Sequence, residues 1–311
     1  MAELQPLINA FRIIGEDPMA VLGPDSAHLV AYGHRVVSQQ SIPGVLMQAQ
    51  SEAEVIRARL VVAEGRRIAQ PVHLCFGLFA RHGTQNVELE VVLQPESSVT
   101  LWSHCLFTTV EHATHAMTAR IEIQEGAALI YQEAHYHGES GDIAVSPRAV
   151  VTLGPRARYH ADFALVQGRV GRLDIDYTVA VGEQAVAELT SKVYGYGHDV
   201  IHIREQVNLN GTNARGLIKT RVAAREDATA EVIGATCGNA PGARGHVDCL
   251  EIVRDRAVVS AIPEVKVTHP LAKVTHEAAI GSVDGKQLET LMARGLDPEQ
   301  AVDLIIKGML S

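Results

Sequence analysis

Hydrophobic and polar residues alternate along the chain from about residue 71 to residue 262, in segments of strand length separated by turns. Five of these segments share one frame, in which an apolar residue is followed directly by a polar turn. The aligned apolar residues lie 30, 30, 28 and 28 residues apart and are Leu93, Ile123, Leu153, Val181 and Leu209. A fixed period of this size is typical of repeat proteins, in which stacked units share one continuous core.

The segments between the turns favour a β-solenoid over other repeat folds. No helix-length apolar pattern lies between the strands, so leucine-rich and ankyrin repeats do not fit. After each turn the strand resumes, usually with an alanine, at Ala128, Ala157, Ala185 and Ala214. Aromatic residues make up only 4% of the chain, so the core must be filled by smaller aliphatic side chains. An antiparallel sandwich with evenly spaced strands is the alternative that the periodicity leaves open.

The N-terminal region predicts two short helices. The first has apolar residues at helical spacing and ends at Gly15. Its apolar residues are Leu4, Leu7, Ile8 and Phe11. Ser51 and Glu54 form a capping-box pattern before a second apolar stretch, and Gly65 ends the helix that this pattern predicts.

The end of the chain returns to a helical pattern. A helix is expected over residues 286–294, with Gly295 as its stop. Asp297 then caps another helix, with Pro298 at its first position and Gln300 three residues after the cap. The two helices can cover the open edge of a solenoid, and they can equally be the docking surface of a partner. The expected organisation is an α/β region at residues 1–70, a β-helix core at 71–262 and a C-terminal segment with two helices at 263–311.

Charge and cysteine content limit the classes of function that the chain can have. Lys and Arg number 27 against 36 Asp and Glu, and a net charge of −9 argues against a nucleic-acid partner. The N-terminus lacks the features of a signal peptide, and no apolar run is long enough to span a membrane. The four cysteines form no C-x-x-C pair, which excludes zinc-ribbon and ferredoxin spacings. We therefore expect a cytoplasmic protein with reduced thiols.

The C-terminal fifth of the chain carries ordered motifs. They are PEVKV at 263–267, VTHEAAIGSV at 274–283, QL at 287–288, RG at 294–295, AV at 301–302 and LIIKGM at 304–309. Their order and gaps resemble those of the SufB/SufD scaffold family of the SUF iron–sulfur cluster assembly system. The resemblance implies a right-handed parallel β-helix upstream of these motifs. The chain is short for SufB or SufD and looks like the compact scaffold of minimal systems.

This resemblance implies a set of partners. It predicts a homodimer that assembles a transient iron–sulfur cluster at the subunit interface, using a sulfur donor and passing the cluster to recipient proteins. It also predicts that a SufC-like ABC-type ATPase binds the C-terminal helices. The sequence has no P-loop motif, so ATP hydrolysis is expected in that partner and the chain is expected to be a scaffold and not an enzyme.

The same resemblance singles out candidate ligands. It implies that Cys249 and His276 contribute to the cluster, and Glu277 is either a further ligand or a residue that orients His276. The separation of Cys249 and His276 is close to one repeat period, which predicts neighbouring coils about 5 Å apart. SufB-like proteins carry another cysteine in the middle of the β-helix, and the strand aligned with it, 146–153, has none. Cys237, in a glycine-flanked segment expected to be an exposed turn, is the nearest substitute and a second cofactor-binding candidate.

Other cysteines and histidines have competing interpretations. Cys75 and Cys105 are interpreted as core residues, although His104 beside Cys105 leaves a ligand role open. His135 and His137 lie two residues apart on a probable strand and therefore share one face. With Glu139 they suggest a cupin-like metal-dependent enzyme, whose second motif is missing. The alternatives to a cluster scaffold are that enzyme and a structural β-solenoid without a cofactor.

Overall fold

The structure is a computed structural model that describes residues 5–13 and 17–311. Leu4 and Gly15, the proposed start and stop of the first helix, lie outside these residues. The four described helices are α1 (Gln5–Ile13), α2 (Pro18–Leu22), α3 (Gly285–Met292) and α4 (Pro298–Leu310). None of them is long and apolar enough to cross a membrane.

Two large sheets make up the rest of the described chain. Sheet A has ten strands, namely β1 (His28–Tyr32), β2 (Arg35–Gln40), β5 (Val72–Gly77), β7 (Ser98–Phe107), β9 (Ala128–His137), β11 (Arg158–Gln167), β13 (Val186–Gly195), β15 (Arg215–Ala224), β17 (Arg244–Val253) and β19 (Lys273–Gly281). Sheet B has nine, namely β3 (Val45–Glu52), β4 (Val55–Val62), β6 (His82–Leu93), β8 (His112–Ile123), β10 (Ile143–Leu153), β12 (Gly171–Val181), β14 (Val200–Leu209), β16 (Thr229–Gly238) and β18 (Val258–Val267). From β4 onward the chain alternates between the sheets, and from β6 onward each strand pairs in parallel with the strand two places before it.

This connectivity is a parallel β-solenoid, as the repeat period predicts. The five residues used to define that period occupy one straight row in sheet B, in the register Leu93, Ile123, Leu153, Val181, Leu209. All five are buried, and the row is one edge of the shared core. The antiparallel sandwich is therefore wrong, because the two antiparallel pairings among the described strands are confined to the first four strands.

The turns between coils repeat as regularly as the strands do. Most coils pass from sheet B to sheet A through a residue with a left-handed backbone, as at Arg156, Gln184 and Asn213. A buried alanine follows directly in five coils, at Ala127, Ala157, Ala185, Ala214 and Ala243. β9 begins at Ala128, as predicted, whereas β11, β13 and β15 begin one residue after the predicted Ala157, Ala185 and Ala214.

The second predicted N-terminal helix is wrong. Ser51 and Glu54 do not cap a helix but flank the tight connection between β3 and β4, which form an antiparallel hairpin. Ala53 in that connection has a φ of 51°, a left-handed turn conformation. The physical reason lies in the period of the apolar positions, because buried residues alternate along β4 with a period of two and a helix would need about 3.6.

Both C-terminal helices form as predicted. Asp297 and Gln300 make a reciprocal capping box at the start of α4, with Pro298 in its first turn. The buried face of α4 packs on the outer surface of sheet A, where Val302 and Ile306 join a cluster with Ala223. The helices therefore lie beside the solenoid and leave its last coil uncovered.

That last coil is formed by β18 and β19. Among the described strands, each of them pairs along one edge only, β18 with β16 and β19 with β17. In this coil, Val259 and Ala261 are half-buried against the core, whereas Val265 and Ile280 are in register with interior positions and stay exposed. The solenoid thus ends in an open apolar cross-section with two unpaired strand edges.

Candidate functional site

Cys249 lies in β17, one strand below this open end. Its side chain points to the interior of the solenoid and is 1% exposed. In sheet A it stands in direct register with Thr220 on one side and Ala278 of β19 on the other. Only the methyl group of Ala278 follows Cys249 in this row of interior positions, so the thiol lies close beneath the exposed end.

The surroundings of Cys249 keep its thiol protonated. Burial is the main cause that raises the pKa of Cys249 to about 12, and the nearby carboxylates of Glu251 and Glu205 act in the same direction. A hydrogen bond with the Thr220 hydroxyl acts in the opposite sense. The thiolate form that binds metal therefore requires that a cation replace the proton.

A glycine in the opposite sheet makes room for this cysteine. A Cβ atom built on Gly234 of β16 would lie 3.9 Å from the Cys249 Sγ and 2.7 Å from the Val247 Cγ1. The second distance is too short for a real contact, so any larger residue would push the sheets apart. Gly234 is therefore not part of the turn expected around Cys237 but allows the close approach of two sheets.

His276 and Glu277 lie on β19, on opposite faces of the strand. The prediction that His276 and Cys249 occupy neighbouring coils is confirmed, but the direct partner of His276 is Val247, two residues before Cys249. His276 therefore shares the interior-facing side of the sheet with Cys249. Glu277 is in register with Asp248 and points to the outer surface. Both candidates are exposed to solvent.

Glu251 is a candidate that the sequence reasoning missed. It lies two residues after Cys249 on the same strand, so both side chains face the interior. Its side chain is fully buried, and neither carboxylate oxygen has a hydrogen-bond partner in the described part of the chain. Burial raises its pKa to about 7. The signal was present in the sequence as a cysteine and a glutamate at alternate positions of a predicted strand.

Glu205 continues this polar interior below Cys249. It is 1% exposed, and the Ser191 hydroxyl donates to its Oε1 at 2.8 Å. The Thr220 hydroxyl donates to its Oε2 at 3.4 Å. Burial raises the pKa of Glu205 to about 7 as well. The interior of the solenoid near Cys249 is thus lined by the carboxyl groups of Glu205 and Glu251 and by the hydroxyl groups of Ser191 and Thr220.

Cys237 is not in an exposed turn. It lies within β16, half-buried on the outer surface of sheet B, between Asn208 and Lys266 in register. Cys249 points into the interior from sheet A, so sheet B separates the two thiols. The flanking glycines that suggested a turn, Gly234 and Gly238, are interior positions of the strand where two sheets meet closely.

The other cysteines and histidines are mostly interior. Cys75 and Cys105 are both fully buried, as predicted. His135 and His137 share the interior face of β9, again as predicted, but the carboxylate bonded to His135 is Glu133. Glu139 instead accepts a hydrogen bond from the Tyr196 hydroxyl. A cupin fold is a jelly roll of antiparallel strands, and this parallel solenoid does not provide it.

Comparison with known proteins agrees with this architecture. A family model described as the SUF system FeS cluster assembly SufBD core domain matches residues 78–309. A protein of Methanocaldococcus jannaschii named as an iron–sulfur cluster assembly SufBD family protein is 38% identical over 308 residues, which are 99% of this chain and 98% of that protein. A protein of Pyrococcus horikoshii with the same family name is 32% identical over 308 residues, 99% of this chain and 94% of its own length.

A more distant relative carries the name of one family member. The iron–sulfur cluster assembly protein SufB of Bacillus subtilis is 22% identical over 261 residues, which are 81% of this chain and 54% of that protein. The family model covers most of the solenoid and both C-terminal helices. The chain therefore belongs to the SufBD family of iron–sulfur cluster assembly proteins.

Proposed function

We propose that this chain is the scaffold on which an iron–sulfur cluster is assembled as cargo, between two copies that meet at the open end of the solenoid. The observation that carries the proposal is the place of Cys249, one strand below that end and in register with Ala278 of the last strand. Relatives along nearly the whole chain are named for iron–sulfur cluster assembly, which supports the nature of the cargo.

The open end supports the choice of a second copy as the partner. Its interior-facing side chains Val265, Val267 and Ile280 are 41%, 48% and 47% exposed, and covering such apolar surface stabilises an interface by about 25 cal/mol per Å². The outer edges of β18 and β19 also leave backbone groups free for another strand. A twofold pairing would satisfy both needs and would bring two Cys249 thiols to one interface.

The ligand set of the proposed site is mixed. Cys249 supplies a thiolate, the strongest soft ligand for iron, once the metal displaces its proton. His276 supplies an exposed imidazole from the next strand, and Glu251 supplies a buried carboxylate that has no hydrogen-bond partner among the described residues. Imidazole and carboxylate hold iron less firmly than thiolate does, which suits a scaffold that must release its cluster. Glu277 faces the outer surface, so its contribution should be smaller than that of His276.

The partner ATPase is proposed to bind the outer surface of the C-terminal helices. Among their residues, Leu304 is 49% and Met292 is 41% exposed, although Val302 and Ile306 bury the opposite side of α4. An apolar side chain left uncovered beside a buried stripe is typical of a second contact surface. Because the sequence has no P-loop, ATP hydrolysis belongs to that partner and this chain acts as a non-enzymatic scaffold.

A sulfur donor and recipient apoproteins complete the proposed set of partners. Assembly in the cytoplasm is part of the proposal, because a reducing compartment keeps Cys249 available as a thiol. The half-buried Cys237 on the outer surface of sheet B is accessible to a donor protein. However, sheet B lies between it and the interior, so a direct transfer from Cys237 to Cys249 within one copy is not part of the proposal.

Anaerobic reconstitution tests the role of Cys249. The purified chain is incubated with ferrous iron and sulfide, and bound acid-labile sulfide and the visible spectrum are measured after desalting. Cys249→Ser should lose the cluster and keep its far-UV circular dichroism, because the change is nearly isosteric. Cys237→Ser is the matched control and should retain the cluster. Equal sulfide content in wild type and Cys249→Ser would reject the assignment.

The other ligands are ranked by the same assay. His276→Ala should retain less cluster than wild type and more than Cys249→Ser, since water can replace a weaker ligand. Glu277→Ala should lie closer to wild type than His276→Ala does. The reverse order, with Glu277→Ala the more damaged, would show that the outer face of β19 holds the cluster.

A further inference from the structure

A second group of metal-ligating side chains lies inside the first coils, far from Cys249. Cys105 of β7 and His135 of β9 are direct cross-strand partners in sheet A. Glu133 lies two residues before His135 and therefore faces the interior with it. The thiol, one imidazole nitrogen and one carboxylate oxygen all lie within 4.8 Å of one another, and the His135 Nε2 to Glu133 Oε1 distance is 2.8 Å.

The opposite sheet contributes a fourth donor. His115 of β8 points into the same space, with its Nε2 3.6 Å from the Cys105 Sγ. The rings of His115 and His135 lie 5.8 Å apart between centroids. The four side chains are 0% to 2% exposed. The thiol, imidazole and carboxylate of sheet A thus lie close together, and the His115 imidazole of sheet B lies beside the thiol.

Hydrogen bonds within the protein satisfy this group only in part. The Nδ1 atoms of His115 and His135 are buried and have no partner in the described residues. Glu133 accepts a hydrogen bond from the Tyr131 hydroxyl at 2.9 Å, and no Lys or Arg is among its described ion-pair partners. Buried polar groups are normally paired, and a buried carboxylate normally has a cation beside it.

We propose that Cys105, His135, Glu133 and His115 form a binding site for one first-row divalent transition-metal ion of the zinc or ferrous class. Thiolate and imidazole donors select such ions over magnesium and calcium, which prefer oxygen ligands. Cys105, His135 and Glu133 would provide three ligands, and His115 beside the thiol would provide the fourth ligand of a four-coordinate structural site. The ion would supply the positive charge that the Glu133 carboxylate lacks and would tie sheets A and B together in the first coils.

This site is independent of the proposed cluster site. Cys105 and Cys249 lie on strands β7 and β17, which are five steps apart in the order of sheet A. At about 4.8 Å per step the two sites are separated by roughly 24 Å. The failure of either proposal therefore leaves the other unaffected.

A single-thiol variant isolates the site in an experiment. Cys75→Ser, Cys237→Ser and Cys249→Ser are combined, so that Cys105 is the only cysteine in the chain. Because the site is enclosed, the variant is unfolded and refolded anaerobically with Co²⁺ alone as the probe, and excess metal is removed. We expect one Co²⁺ per chain, with the thiolate-to-cobalt charge-transfer band and the visible bands of a four-coordinate ion.

Three further variants in the single-thiol background show whether bound Co²⁺ depends on the proposed ligands. Cys105→Ser should abolish the charge-transfer band, and His135→Gln should weaken Co²⁺ retention at least about 10-fold. His112→Gln is the matched control, since this histidine lies on the same strand as His115 but is exposed, and it should retain the band. Zn²⁺ should raise the thermal midpoint of the parent variant and not of Cys105→Ser.

Several outcomes would overturn the proposal. One is a refolded single-thiol variant, with native circular dichroism, that retains no Co²⁺. Another is Co²⁺ retention without a thiolate band. If Cys105→Ser fails to refold, the test rests on His135→Gln. Co²⁺ retention by His135→Gln equal to that of the parent variant would then reject the site. Acid-labile sulfide is absent from every sample, so an iron–sulfur cluster at Cys249 cannot produce a positive result.

Discussion

Replacement of Glu205 by glutamine tests the buried carboxyl groups below Cys249. The folded protein holds the pKa of Glu205 at about 7, against an ordinary value of 4.5, because the side chain is buried. Below pH 4.5 both folded and unfolded chains bind the proton. Between pH 4.5 and 7 only the folded chain keeps it, so the free energy of unfolding falls as the pH rises, by about 1.4 kcal/mol per unit.

The magnitude follows from the width of that window. A shift from 4.5 to about 7 corresponds to about 3 kcal/mol of stability lost by wild type on going from pH 4.5 to above pH 7. Glu205→Gln keeps the shape and carries no titrating proton, so it escapes this loss. For a chain of 311 residues, about 3 kcal/mol corresponds to about 5 °C in the thermal midpoint.

The assay compares thermal midpoints of wild type and Glu205→Gln at pH 4.5 and pH 7.5. The difference, variant minus wild type, should become more positive by about 5 °C at the higher pH. Glu183→Gln is the control, because Glu183 is exposed in a turn of the same region, and its difference should stay constant. An identical difference for Glu205→Gln at both pH values would refute the reasoning that this carboxyl group is held protonated by burial.

Two further substitutions test the packing around the site and the helical surface. Gly234→Ala should destabilise the protein by about 1–3 kcal/mol in urea unfolding, because its new methyl group would lie too close to Val247. Gly281→Ala is the control and should be neutral, because no atom lies within 4 Å of its new Cβ. Equal stability of the two variants would contradict this packing. Leu304→Asp should abolish co-elution with the partner ATPase and leave the thermal midpoint within about 1 °C of wild type, since Leu304 is 49% exposed. Ile306→Asp, at a position 1% exposed, should instead lower the thermal midpoint strongly. Unchanged ATPase binding by Leu304→Asp would show that the exposed surface around Leu304 is not the binding site of the ATPase.

The solenoid could be predicted from the sequence because the apolar residues of each core row recur at a nearly fixed spacing along the chain. Leu93, Ile123 and Leu153 recur at the length of one coil, and parallel stacking places them in exact register. Local propensity was a poorer guide. Ser51 and Glu54 match a capping box, but the apolar period of two along β4 favours a strand, and tertiary pairing in sheet B decides the outcome.

The candidate site could be predicted only in part. Cys249 and His276 were found by resemblance, and the neighbouring coils followed from their separation. The buried state of Glu251 could not be read from the sequence, because it depends on which face of β17 meets the opposite sheet. The same limit applies to Cys105 and His115, which are ten residues apart in sequence and meet only because sheets A and B face each other.

Native mass spectrometry of the anaerobically reconstituted protein tests the central claim most directly. We expect the iron–sulfur cluster on a dimer of this chain, with one cluster per two chains. A Cys249→Ser preparation should contain no cluster-bearing dimer, whereas Cys237→Ser should contain it as wild type does. A cluster carried by the monomer, or by the Cys249→Ser dimer in equal amount, would contradict assembly between two copies at the open end of the solenoid.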